Sequence, residues 1–211
     1  GGDQEIMSRE DLIEKFSLDA VNKSSAVFNF SEGNSHDWTD PKALWMNGEY
    51  IKSMPLDQLL PLVAAHLKKA GLWRSEYESD GRQWFARTVD LLRARYRTLS
   101  DFASLGRPYF SDDFEMDPAA VKKNLAKDGL RTLLTGFCDR VAHLEDFTHD
   151  SIEAVLREYA EENGVKAGLL INAARTALTG QAVGPGMFDI FVTVGREKTV
   201  ARLRAAVELA A

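Results

Sequence analysis

The chain has 211 residues, 45% hydrophobic and 27% charged, which supplies enough apolar material for a buried core. No apolar run nears the ~20 residues that cross a bilayer, which excludes a membrane-spanning helix, and the opening "GGDQEIMSRE" lacks the basic-then-apolar pattern of a secretory signal. A formal net charge of −6 argues against a general nucleic-acid binder. Cys138 is the one cysteine and can build neither an internal disulfide nor a zinc cage, so a reducing cytoplasm is the expected setting.

In chain order the pattern is helical nearly throughout. Ser8, followed three positions later by Asp11, reads as a capping box, with Leu12, Ile13 and Phe16 as an apolar stripe behind it. "AVFNF" (26–30) is a short extended candidate, and "SEGNSHDWTD" is a polar surface loop. Asp40-Pro41 opens a helix in cap-then-proline order. Pro55 starts the next, where Leu56, Leu59, Leu60, Val63 and Leu67 keep helical spacing until Gly71. From Gly81 onward Phe85, Val89, Leu92 and Tyr96 share one side, away from Arg87, Arg95 and, less squarely, Arg93. Residues 99–105 continue this helix after a bend. Asp117-Pro118 is a second cap-and-proline start.

A further helix carries Leu133, Leu134, Phe137, Val141 and Leu144, and Asp150 with Glu153 reads as the capping box of the one that stops at Gly164. Another spans about 165–178, and the last sets Val200, Leu203 and Val207 on one face. The expected fold is all-α, with a small mixed N-terminal part and two helical domains.

Between the last two helices lies "RTALTGQAVGPGMFD", Arg175 to Asp189, with three glycines in seven residues. A Walker-type phosphate loop needs Lys-Ser or Lys-Thr after its last glycine and a buried strand before it. Here Met187-Phe188 follow and a helix precedes, so the segment is a helix-to-helix connection, with Gly180 as C-cap and Pro185 fixing a corner.

Charge is distributed in blocks. From Arg82 to Arg107 six arginines face two aspartates, and from Lys166 to Arg204 six bases face two acids, each a local balance of +4. Between them "SDDFEMD" holds four acids and no base. Such blocks build either a basic face on an acidic protein or ordinary solvated helix faces. His143 and His149, near Glu145, Asp146 and Asp150, match no standard zinc spacing and are better explained by helix capping. No nucleophile elbow is present. The expectation is no catalytic centre, no metal and no cofactor in this chain.

"FSLDAVNKSSAVFN", "DPKALWMNGEYI", "YAEENGVKAGLLINAARTALTGQAVGPGMFDIF" and "GREKTVARL" resemble, in that order, the C-terminal part of bacterial glutamyl-tRNA synthetases. The match covers essentially the entire chain, and the alanine-rich helix with Arg175, "ALTG", "PG", Phe188 and "GREK" is its most specific piece. The family's HIGH-type and KMSKS-type ATP signatures do not occur. The resemblance implies a stem-contact region (1–54) and two helical anticodon-binding domains (55–129 and 130–211). ATP and magnesium belong to a catalytic domain outside these residues.

The implied partner is tRNA(Glu), bound by a monomer, with no DNA and no membrane. Arg95 stands where the family places an arginine that discriminates the third anticodon base. Arg157, Asn172, Arg175, Gly184, Pro185 and Met187 fall at positions resembling other anticodon contacts, with the Gly184–Met187 corner offering backbone groups and an apolar side chain to an unstacked base. Lys23 and Asn47 are weaker stem-contact candidates. The connection between Phe28 and Ala43 is longer than the family's usual one. The rival reading is a helical protein-interaction module that never binds RNA, favoured by the acidic balance.

Overall fold

The computed structural model describes residues 6–21, 25 and 40–210. Lys23, the extended candidate at 26–30 and all but the last three residues of the 29–42 connection lie outside the described residues. Among those described, all regular structure is helical: eleven α-helices and three short 3-10 turns. The all-α expectation holds.

The first helix, α1 (Arg9–Lys15), has the expected cap: the Ser8 hydroxyl accepts from Asp11 N at 3.0 Å, and the Asp11 carboxylate accepts from Ser8 N at 3.2 Å. Its stripe behaves differently. Leu12, Ile13 and Phe16 are 52, 68 and 66% exposed, and α1 has no buried residue. α2 (Pro41–Ser53) begins as the Asp40-Pro41 pair dictates: the Asp40 carboxylate accepts from Lys42 N and Ala43 N at 2.9 and 3.0 Å.

α3 (Leu56–Lys69) buries Leu59, Val63 and Leu67 completely, and each contributes about 1.5–3 kcal/mol of apolar transfer. α4 (Arg82–Arg93) buries Phe85, Val89 and Leu92 against it. Beneath them an aromatic cluster forms, with Trp73 edge-on to Tyr77 at 5.4 Å and to Phe85 at 5.3 Å, and Tyr77 stacked on Trp84 at 5.5 Å. Residues 99–105 do not continue α4. Thr98 and Asp101 form their own capping box and start a separate 3-10 turn, Leu99–Phe102, because a reciprocal cap stops one helix as it starts another. A short α5 (Arg107–Phe110) follows.

The C-terminal group comprises α7 (Leu130–Ala142), α8 (His149–Glu162), α9 (Ala167–Thr179), α10 (Met187–Val194) and α11 (Arg196–Val207), with α11 packed against α7 and α9. The cap of α8 is a correction. Thr148, not Asp150, is the N-cap, exchanging hydrogen bonds with Ser151. Starting two residues earlier, about half a turn, leaves Asp150 in the first turn of the helix, where its charge suits the helix dipole.

The two groups share one continuous core. α6 (Pro118–Asn124), capped by Asp117, packs on α9, and the Asn124 amide donates to buried Thr176 Oγ1 at 2.9 Å. Trp84 Nε1 donates to Thr193 O at 2.8 Å, and Asp117 N donates to Gly180 O at 2.9 Å. These cross-links tie the start of α4 to α10 and the cap of α6 to the end of α9.

Candidate nucleic-acid interface

Arg95 follows the C-terminal turn of α4, and its neighbour decides where it points. Tyr96 is 5% exposed and meets Phe102 edge-to-face at 5.0 Å, so the adjacent Arg95 is turned outward and is exposed. Across from it stands the connection 180–186. Gly180 ends α9 at φ +72°, in the left-handed region, and a Cβ there would come within 2.5 Å of Glu115 O. Gln181 Nε2 donates to Leu105 O at 2.8 Å, tying the connection to the loop before α5. Arg95, Leu105 and Tyr109 from the first helical group and Gln181, Val183, Gly184 and Pro185 from the second line one open cleft of about 430 Å³. Sequence-distant candidates Arg95, Gly184 and Pro185 thus meet at one place.

Arg175 acts as the brace of the corner. It is half-buried on α9, and its Nη1 donates to Pro185 O at 2.6 Å. Gly184 leaves room for it, since a Cβ at 184 would lie 3.1 Å from that nitrogen. Burial pulls the guanidinium below its ordinary pKa; nearby Tyr109 opposes this and the like charge of Arg95 adds to it. An arginine so far above neutral pH stays charged throughout. Burial likewise pushes the Tyr109 phenol up, against the pull of Arg175, Arg202 and Arg95, so it stays neutral and keeps its proton to donate.

The corner corrects one expectation. Pro185 is buried and Met187 is 4% exposed, seated in the core at the start of α10, so neither presents an apolar side chain outward. What the corner offers is Val183, 74% exposed, which lines the cleft together with Leu105, 48% exposed. Asn172 is exposed on α9 one turn before Arg175, and Arg157 is exposed on α8, where it pairs with Glu153 at 2.6 Å; neither lines the cleft. Asn47, on α2, donates to Arg97 O and is spent on bracing the chain after α4.

Val183 and Leu105 carried no chemical signal in the sequence, and exposed aliphatics gain meaning only when the fold sets them beside a cation. His143 lies against its own helix carbonyl Asp139 O at 2.8 Å, and His149 sits edge-on to Phe188 at 5.4 Å. Among the described residues no group of three His, Cys, Asp or Glu is arranged to hold a metal. Cys138 is buried in the core.

The charge blocks resolve into paired and unpaired members. The acidic stretch reaches back to both basic blocks: Asp113 pairs with Arg107 at 2.8 Å, and Asp112 pairs with Lys198 at 3.3 Å and Arg202 at 2.7 Å. Arg93 is held by Asp90. Arg82, Arg87, Arg95 and Arg97 have no ion pair among the described residues, which leaves positive charge along α4 and its end.

A family model described as an anticodon binding domain matches residues 57–207. Curated relatives include the glutamate–tRNA ligase of Desulfotalea psychrophila, 44% identical over 98% of this chain and 42% of that protein, and glutamate–tRNA ligase 2 of Koribacter versatilis, 43% identical over 99% and 41%. The chain therefore spans about two fifths of the length of these relatives. Among solved structures, a glutamate tRNA ligase from Elizabethkingia meningosepticum in complex with its amino acid superposes with a TM-score of 0.76 over 97% of this chain and 37% of that one, at 24% identity. The glutamate-tRNA synthetase of Elizabethkingia anophelis gives 0.72 at 25% identity, over the same shares. With the family model covering most of its length, the chain belongs to the anticodon binding domain family of the glutamyl-tRNA synthetases.

Proposed function

We propose that this chain recognises tRNA(Glu), gripping the anticodon loop with its two helical groups while residues 1–54 contact the stem. It would orient the acceptor end toward a glutamate–tRNA ligase active site that activates glutamate with ATP and magnesium and lies outside these residues. The chain acts as a monomer in the cytoplasm, and by itself it is catalytically inert.

One observation carries this reading. The unpaired Arg95 and the backbone-rich 181–185 connection come from opposite helical groups and line one cleft. Anticodon bases are single-stranded, so their edges and faces are free to be read there. A guanidinium presents only donors. The pairing edge of cytosine offers two acceptors, O2 and N3, whereas that of guanine offers two donors and one acceptor. An arginine at this place therefore favours a third anticodon base of C over G, since the mismatch leaves donors facing donors.

The test compares anticodon stem–loops ending in C and in G for binding to the native chain and to Arg95→Gln. We expect the substitution to weaken the C loop by about 1–3 kcal/mol and to narrow the C-over-G preference. Unchanged discrimination would remove Arg95 from this role.

A further inference from the structure

Asn124, the last residue of α6, and Thr176 on α9 are 4% and 0% exposed, so neither can reach RNA. The Asn124 amide donates to Thr176 Oγ1 at 2.9 Å, and Thr176 Oγ1 donates in turn to Gln181 O at 3.3 Å, the first carbonyl after the Gly180 cap. A threonine hydroxyl inside a helix can bond back to a carbonyl one turn earlier. Thr88, Thr135 and Thr179 do so, each at 2.8 Å from the carbonyl four residues before it. Thr176 instead reaches forward to Gln181. A hydroxyl has one hydrogen to give, and the amide of Asn124 occupies its oxygen, which leaves that hydrogen for Gln181 O. The preceding carbonyl, Gly180 O, accepts from Asp117 N at 2.9 Å. α6 and its cap therefore hold two successive carbonyls at the exit of α9, one directly and one through Thr176.

We propose that Asn124 and Thr176 are positioning residues: they fix the direction in which the chain leaves α9 and so set where residues 181–185 stand at the cleft. The inference rests on the RNA-binding reading above and assigns two buried residues to it. A buried hydrogen-bonded pair contributes little more net stability than an apolar pair of the same shape. What apolar side chains in their place could not supply is the bond to Gln181 O.

The experiment uses the 211-residue chain and anticodon stem–loops ending in C and in G, with binding measured well below the melting temperature of each variant. Thr176→Val keeps the shape and removes the hydroxyl, stranding the Asn124 amide. Its melting temperature should fall, and binding of the C loop should weaken about two- to thirtyfold, the range for residues that act on a site without touching its ligand. Adding Asn124→Leu removes the stranded amide, so melting should recover while C-loop affinity and the C-over-G preference stay reduced. Thr176→Ser keeps both hydrogen bonds and loses a buried methyl; it should melt lower and bind as the native chain does.

If binding returns with stability in the double variant, or if Thr176→Ser binds as weakly as Thr176→Val, the pair is structural only and its positioning role is overturned while RNA binding stands. If the native chain binds neither loop, the RNA-binding reading fails and this inference fails with it.

Discussion

Arg202 shows what a single side chain contributes here beyond its charge. It is 9% exposed and donates to Leu178 O at 2.7 Å, to Ser111 O at 3.1 Å and to Asp112 at 2.7 Å, with its guanidinium over the Phe114 ring. It joins the end of α9 to the segment after α5, just behind the cleft. Arg202→Met would leave two carbonyls without this donor, and we expect a loss of about 2–4 kcal/mol in urea unfolding. Asp112→Asn should cost under about 1 kcal/mol, because that carboxylate is 62% exposed and water screens it.

Burial pushes the Asp112 carboxyl up, but hydrogen bonds from Arg202 and Lys198 together outweigh it and hold it below its ordinary value. A depressed folded pKa stabilises above the unfolded value and is lost as pH falls through the folded one. Stability should therefore decline below about pH 4, and the decline should be shallower in Asp112→Asn when melting is followed against pH. The sequence showed Arg202 only as one more cation of a basic block. Its burial depends on carbonyls at 111 and 178, and no local pattern reveals those.

At the scale of elements, the local signals read well where a cap and a stripe agree. Asp40-Pro41 and Asp117-Pro118 start helices as their chemistry requires, and Leu59, Val63 and Leu67 go inside as their spacing requires. Reading failed where two signals competed, as Thr148 and Asp150 did, or where burial was settled by a partner far away, as at Pro185 and Met187.

Gly180 and Gly129 allow a controlled test of the connection that builds the cleft. Both have positive φ, +72° and +77°, but a Cβ at 180 strikes Glu115 O whereas one at 129 meets nothing within 4 Å. Gly129→Ala should cost about 1–2 kcal/mol from the left-handed backbone alone. Gly180→Ala should cost more, on the order of 3 kcal/mol with the clash added, and should also weaken RNA binding because it displaces residues 181–184. Calorimetric melting and binding on the same pair of variants separate the two effects.

For the whole molecule, an acidic net charge and an RNA-binding surface are compatible because the charges are sorted. Asp113 pairs with Arg107 and Asp112 with both Lys198 and Arg202, while Arg82, Arg87, Arg95 and Arg97 have no ion pair among the described residues along α4 and its end. The blocks were visible in the sequence, but the pairing of Asp112 with Arg202 was not, since it joins residues 90 apart.

The most direct test of the account is the affinity of the 211-residue chain for tRNA(Glu), measured by filter binding from low to physiological salt. The account predicts that log K falls linearly with log salt with a slope of about −2 to −4, as expected when a few phosphates meet these arginines. An affinity that does not change with salt, or no binding at low salt, would contradict it.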